Sequence, residues 1–423
     1  TAKAVFSHAK ASGAQGEELD LLEKQLSELK SPQSSESTIE SLSAAKSSEN
    51  SEPPQILLQP LINLHSQGQL QQALDQATQM LHQFPRSIIL HNIQGVTNAG
   101  LGQFDTAIDC FKKTLTLKSN YVEAYNNMGN AQKANGDLGA AIESYKQAII
   151  IKPDYAEAHS NMGNVLKDKS DLEAAVESYK RAIKIKPDYA EAHSNMGNAL
   201  KDKGDLEAAV ESYKHAIEIK SDYLGAFYNM GIALQEKGDL EAAIDSYKQA
   251  IKIKPDYAEA YYNMADALVE KGDREAAVES YKHAIKIKPD YAEAFYNMGI
   301  SLEDNGDLEA AIDSYKQAIK IKPDYAEAYN NMGSVLQEKG DLEAAIDSYK
   351  QAIKIKPDYA EAYNNRGNAL KDKGELEAAI DSCKKAIKIK PDYAEAYLNM
   401  GNALQEKDDL EAAIDSYKHS IKI

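Results

Sequence analysis

The sequence is short of cysteine, of basic charge and of long apolar runs, and each shortage excludes something. Its two cysteines, Cys110 and Cys383, stand far apart in the chain. They make no disulfide framework and read as buried thiols. No apolar run nears the about 20 residues that a membrane span needs. Lys and Arg number 48 against 66 Asp and Glu, a net charge of −18, which opposes nucleic acid and anionic membranes as partners. There is no glycine-rich phosphate loop and no nucleophile elbow. The histidines form no cluster at metal-ligand spacing. The expectation is a non-enzyme, with no catalytic residue, metal, cofactor or small-molecule substrate. No signal peptide is visible, but the chain begins at Thr1. A soluble protein is therefore expected, in a compartment left open: cytoplasmic, or secreted after N-terminal processing.

What the sequence does contain is a period of 34 residues. The stretch Ala326–Tyr359, AEAYNNMGSVLQEKGDLEAAIDSYKQAIKIKPDY, recurs from Val122, Ala156, Ala190, Leu224, Ala258, Ala292, Ala360 and Ala394. A weaker copy starts at Ile88, a degenerate first repeat covers 54–87, and the last repeat, 394–423, is incomplete. Such a period is the mark of a solenoid, in which no single unit buries its own apolar face.

Each unit reads as two helices. In the first, Tyr329, Met332, Gly333 and Leu336 fall at i, i+3, i+4 and i+7, which predicts one apolar stripe. Asp358 and Glu361 have capping-box spacing and predict where the next unit begins. Gly340 ends the first helix and Asp341 caps the second. The second helix is expected to bury Leu342, Ala345, Ile346, Tyr349 and Ile353 before Pro357 stops it. Gly333, mid-helix, costs about 1 kcal/mol against alanine. Close approach to Ala345 and Ala352 is the expected compensation.

This pattern closely resembles the tetratricopeptide repeat (TPR) family across residues 54–423. Gly333, Ala345 and Ala352 match the family's small positions. Tyr329, Met332, Leu336 and Tyr349 match its large ones, and Pro357 its terminal proline. The resemblance implies an all-α fold, a right-handed α-solenoid superhelix of about eleven helix-turn-helix repeats, with a concave groove lined by first helices. It also implies protein or peptide partners.

Before the repeats, residues 1–53 form an N-terminal arm. Within it, 16–30 read as a short amphipathic helix through Leu19, Leu22, Leu26 and Leu29, expected to dock on a repeat surface. Residues 31–53 read as a serine-rich linker. Later units depart at single places. Ala265 replaces the Gly333 position, and Ser170 and Asp408 replace Gly340. Cys383 replaces Tyr349, and Arg366 puts a charge where Met332 stands, predicting a weakly packed joint.

Function is expected in the groove. Glu327, Asn331, Ser334 and Glu338 make a polar stripe on the first helix. The Asn331 position is asparagine in nine successive units: Asn127, Asn161, Asn195, Asn229, Asn263, Asn297, Asn331, Asn365 and Asn399. An amide both donates and accepts, which suits an extended peptide backbone. The ladder resembles that of the repeat superhelix in O-linked N-acetylglucosamine transferases. The bland alternative is bonding within the solenoid. Three middle units add Tyr228, Tyr262 and Tyr296, and two of them Ile232 and Ile300. These are candidate hot-spot anchors or ordinary inter-repeat packing. The chaperone-binding members of the family clamp a terminal carboxylate with groove lysines, and those positions here hold Asn, Ser, Tyr or Glu.

The reading is a protein–protein interaction scaffold binding extended polypeptide. One alternative is a structural subunit that assembles end to end, joining copies of itself through the arm and through ends at Ile56, Leu57 and Leu61 and at Leu410, Ile414 and Tyr417. Another is the targeting region of a larger transferase.

Overall fold

A computed structural model describes residues 52–423. The expected arm helix and all but the last two linker residues lie outside the described residues. Those two are held: Pro53 is buried, and Glu52 accepts the Ile88 N–H at 2.7 Å and the Ser87 hydroxyl. Among the described residues there are 22 helices and no strand. The chain divides into two units, Thr1–Asp205 and Leu206–Ile423. Within each, a first helix packs chiefly on the second helix of its own repeat, and that second helix packs on the next first helix.

The local signals act as read at the turn between helices. Gly340 adopts φ +81°, and the Asp341 carboxylate accepts the Ala344 N–H at 3.2 Å. Asp171, Asp239 and Asp307 cap their helices in the same way. Glu375, one methylene longer, makes no such bond. Ser170 and Asp408 hold the same left-handed conformation, φ 63° and 67°, without glycine's freedom, a strain of about 1–2 kcal/mol each.

The capping box is not formed. The N-cap is Tyr359, whose side chain makes no capping bond. Asp358 lies one residue outside, and its backbone carbonyl accepts the Ala360 N–H at 3.1 Å. Lys356 stands over the Tyr359 ring at 4.6 Å, so a cation–π contact braces this corner.

Burial differs from the single stripe expected of the first helix. Of the four residues, only Gly333 is buried, while Ala328 and Val335 are fully enclosed. A solenoid helix is covered by its own partner and by the adjoining repeat, so two faces are buried rather than one. The nearest neighbour of Gly333 is the Tyr349 ring, which a Cβ there would meet at 2.7 Å; at Gly367, where Cys383 replaces that ring, the carbonyl of Ala379, at the Ala345 position, comes to 3.3 Å. The same contact recurs at Gly231 with Tyr247 and at Gly299 with Tyr315.

Arg366 does not leave a loose joint. Its Nε donates to the Ser382 hydroxyl at 3.0 Å, and its guanidinium lies 5.4 Å from the Tyr363 ring. Cys383 fills the tyrosine's place against Gly367, and burial pushes its thiol up to about 12. Cys110 is also free and buried.

Candidate functional site: the first-helix face

The asparagine positions are all half-buried, and most are tied to the preceding repeat. In Thr1–Asp205, Asn161 donates to Asn126 at 3.1 Å. In Leu206–Ile423, Asn263, Asn297 and Asn331 donate to the hydroxyls of Tyr228, Tyr262 and Tyr296 at 2.9, 2.9 and 3.1 Å. Asn365 and Asn399 donate to Asn330 and Asn364 at 3.2 and 3.0 Å. Every one of these bonds spans 35 residues. Each engages one of the amide's two N–H groups. Asn127, Asn195 and Asn229 occupy the same helical position.

The three tyrosines are half-buried and pack against the next repeat. Tyr228, Tyr262 and Tyr296 lie 4.9, 5.0 and 4.8 Å from the rings of Tyr257, Tyr291 and Tyr325, which begin the next first helices. Burial raises the hydroxyl pKa of all three. Ile232 and Ile300 are partly buried beside them in sequence.

Asp266 was not singled out by the sequence. It stands at the Ser334 position of the polar stripe, so the stripe itself carried the signal. Its carboxylate accepts from the Tyr281 hydroxyl and, at 3.3 Å, from Asn297. Burial pushes its pKa up, bonds from Tyr281, Asn297 and Tyr262 pull it down, and Glu270 raises it again.

Farther along Leu206–Ile423, three successive repeats bring the stripe together around a cavity of about 400 Å³. Its lining includes Ser334 and Gln337 from the first, Asn365 and Asn368 from the second, and Glu395 and Asn399 from the third. Glu338 and Asp372 add carboxylates, and the Tyr349 hydroxyl, bonded to Gln337 at 3.2 Å, reaches its wall.

The residues proposed as assembly ends divide. Ile56 and Leu57 are 81% and 44% exposed, and Leu410 and Ile414 are 56% and 53% exposed. Leu61, by contrast, is fully buried. It packs with Leu58, Ile62, Ala73, Ala77 and Leu90, because the degenerate first repeat still closes its own helix pair. Tyr417 is half-buried, its hydroxyl bonded to Asn402 and Gln405 at 3.0 and 2.8 Å.

His159 and His193 serve packing. Both are buried with ring nitrogens at 3.1 and 3.2 Å from the Pro153 and Pro187 carbonyls. Among the described residues no group of His, Cys, Asp or Glu is placed to hold a metal ion, and no helix is long and apolar enough to cross a membrane.

Comparison with known proteins gives two family matches. The family described as "TPR repeat" matches residues 100–136, 133–170, 163–204 and 197–238. The family described as "Cilia and flagella-associated protein 70 C-terminal domain" matches residues 223–422. No curated protein matches. Similar solved structures include YrrB, described as a TPR protein with an unusual peptide-binding site. It is 25% identical, with 44% of this chain and 96% of that one covered, at a TM-score of 0.40. They also include MamA, 28% identical over 39% of this chain and 97% of that one, at a TM-score of 0.38. A form of MamA from Desulfovibrio magneticus RS-1 is 24% identical over 39% of this chain and 93% of that one, at 0.37. Residues 100–238 thus match tetratricopeptide repeats, and the recurring helix pairs with their glycine turns carry the same all-α repeat architecture through the described residues of both units.

Proposed function

We propose that this chain is a non-catalytic interaction scaffold whose first-helix face binds an extended polypeptide. The observation that carries this reading is the cavity of about 400 Å³ spread over three consecutive repeats. Its walls supply amides and a hydroxyl from Asn365, Asn368, Asn399, Gln337 and Ser334. A strand of peptide offers alternating N–H and C=O groups, and carboxamides answer both. Peptides selected from a random display library against the full chain test it. Asn365→Ala with Asn399→Ala should weaken the selected peptides about thirtyfold, the sum of two hydrogen bonds of about 1 kcal/mol each. Exposed Lys350→Ala, on the second helix, should leave them unchanged. The reading fails if both variants lose binding equally, or if selection yields nothing.

A second reading, end-to-end association of copies, is favoured by the exposed apolar side chains at Ile56, Leu57, Leu410 and Ile414. Such a contact joins unlike faces and propagates unless its rotation closes a ring. Light scattering decides it. Leu410→Lys with Ile414→Lys should abolish concentration-dependent growth in mass, and a parent chain that stays monomeric at high concentration rules association out.

A further inference from the structure

Along the first-helix face lysines bridge successive repeats in one unit, while among the described residues three glutamates of the other unit meet no cation. In Thr1–Asp205, Lys133 reaches Asp168 at 3.1 Å and Lys167 reaches Asp202 at 3.6 Å. Each pair spans 35 residues, the register of the asparagine bonds. In Leu206–Ile423 other residues fill the lysine position in every repeat but one, which keeps Lys371. Gln235 donates to Glu270 at 2.6 Å and Gln337 to Asp372 at 2.8 Å, so a neutral amide reaches across where the cation did; Asp372 also meets Lys371 of its own helix at 2.8 Å, and Glu270 meets no cation among the described residues. At the two intervening repeats the position holds Val269 and Glu303, the latter in register with Glu338.

Glu303 accepts the Tyr315 hydroxyl at 2.7 Å. Burial raises its pKa, the Tyr315 bond lowers it, and the charges of Asp304 and Glu338 raise it again. Nearby acids do have cations: Arg274 holds Asp304 at 2.9 Å and Lys356 holds Glu327 at 3.4 Å. Among the described residues no ion pair reaches Glu270, Glu303 or Glu338. Glu338 also lines the cavity. Like charges facing each other between repeats oppose packing, and the first unit shows that a lysine fits this register.

We infer that the face of Leu206–Ile423 takes an extended segment of another protein rich in lysine or arginine. The segment's cations stand against Glu270, Glu303 and Glu338 as Lys133 and Lys167 stand against Asp168 and Asp202. Charge complementarity of this kind selects partners and speeds encounter more than it adds affinity. The chain's own charge of −18 makes a second copy a poor occupant. This inference rests on the groove reading above and names the chemistry of its ligand.

The test uses the full chain and three labelled peptides, alternating serine with arginine, with alanine or with glutamate. Fluorescence anisotropy should show the arginine peptide bound about tenfold tighter than the alanine one, with the preference falling as salt rises. Gln235→Lys with Gln337→Lys copies the first unit's lysines and should remove most of that preference. Asp313→Asn with Asp347→Asn, exposed on second helices, changes net charge equally and should leave it intact. Equal loss in both variants would mean that bulk charge alone is felt, and the inference falls. Equal binding of arginine and alanine peptides, both lost with Asn365→Ala and Asn399→Ala, overturns the basic ligand but keeps the groove. No binding by any of the three overturns both.

Discussion

Replacing Gly333 with valine should lower the stability of its repeat by about 3 kcal/mol, the upper end of the usual cost of overpacking a core. The reason is the Tyr349 ring, which a Cβ at Gly333 would meet at 2.7 Å. That ring is 1% exposed and its hydroxyl is bonded to Ser334 and Gln337, so it cannot swing away without losing those bonds. Alanine is the milder case, since Ala265 occupies the same position in another repeat and is fully buried there. Because a solenoid unfolds by neighbouring units, the loss should appear as faster hydrogen exchange in Ala326–Glu338 and Leu342–Ile355, spreading to adjoining helices. In a Tyr349→Ala background the added penalty of valine should shrink, as the clash partner is gone. Undiminished destabilisation in that background would show that the ring is not the cause.

Asp266→Asn should stabilise the protein at neutral pH by about 1 kcal/mol, the lower end of the gain from replacing poorly compensated charge in an interior, because it removes a half-buried carboxylate that no cation meets among the described residues. Asparagine already stands at this position in other repeats, where Asn130 and Asn164 accept the hydroxyls of Tyr145 and Tyr179 at 2.7 Å. The variant keeps an acceptor for Tyr281 and sheds the carboxylate. The sign follows from the raised folded-state pKa. The folded chain holds the Asp266 proton more tightly than the unfolded chain. The parent protein therefore loses stability as pH rises from the unfolded pKa through the higher folded one. Below that window the acid is protonated in both states and the variant's advantage disappears. Denaturant midpoints of the two proteins at neutral pH and in acid read this directly. A variant no more stable than its parent at neutral pH defeats the prediction.

The difference between these two sites shows what kind of information each needed. Gly333 is conspicuous in sequence because a glycine inside a helix is costly, yet the sequence pointed to alanines as its partners. The tyrosine that faces it lies 16 positions on, across a turn whose geometry decides which side chain swings in. Asp266 is inconspicuous in sequence, one acid among 66 Asp and Glu. That no cation meets it among the described residues depends on three tyrosine- and asparagine-bearing helices converging.

By itself the sequence determined the period, the two helices of each unit, the Gly340 turn and the Asp341 cap. All of these are decided within a few residues by backbone conformation and local hydrogen bonds. It also determined which residue types line the first-helix face, because helical spacing puts Asn331, Ser334 and Glu338 on one side. Only the tertiary structure decided how each repeat sits on the one before it. That register pairs Asn263 with Tyr228, Lys133 with Asp168 and Gln337 with Asp372. It also buries Leu61 and Val335 on a second face. The displacement of one repeat against the next is set by close packing over whole helix faces, so no single position in the sequence encodes it.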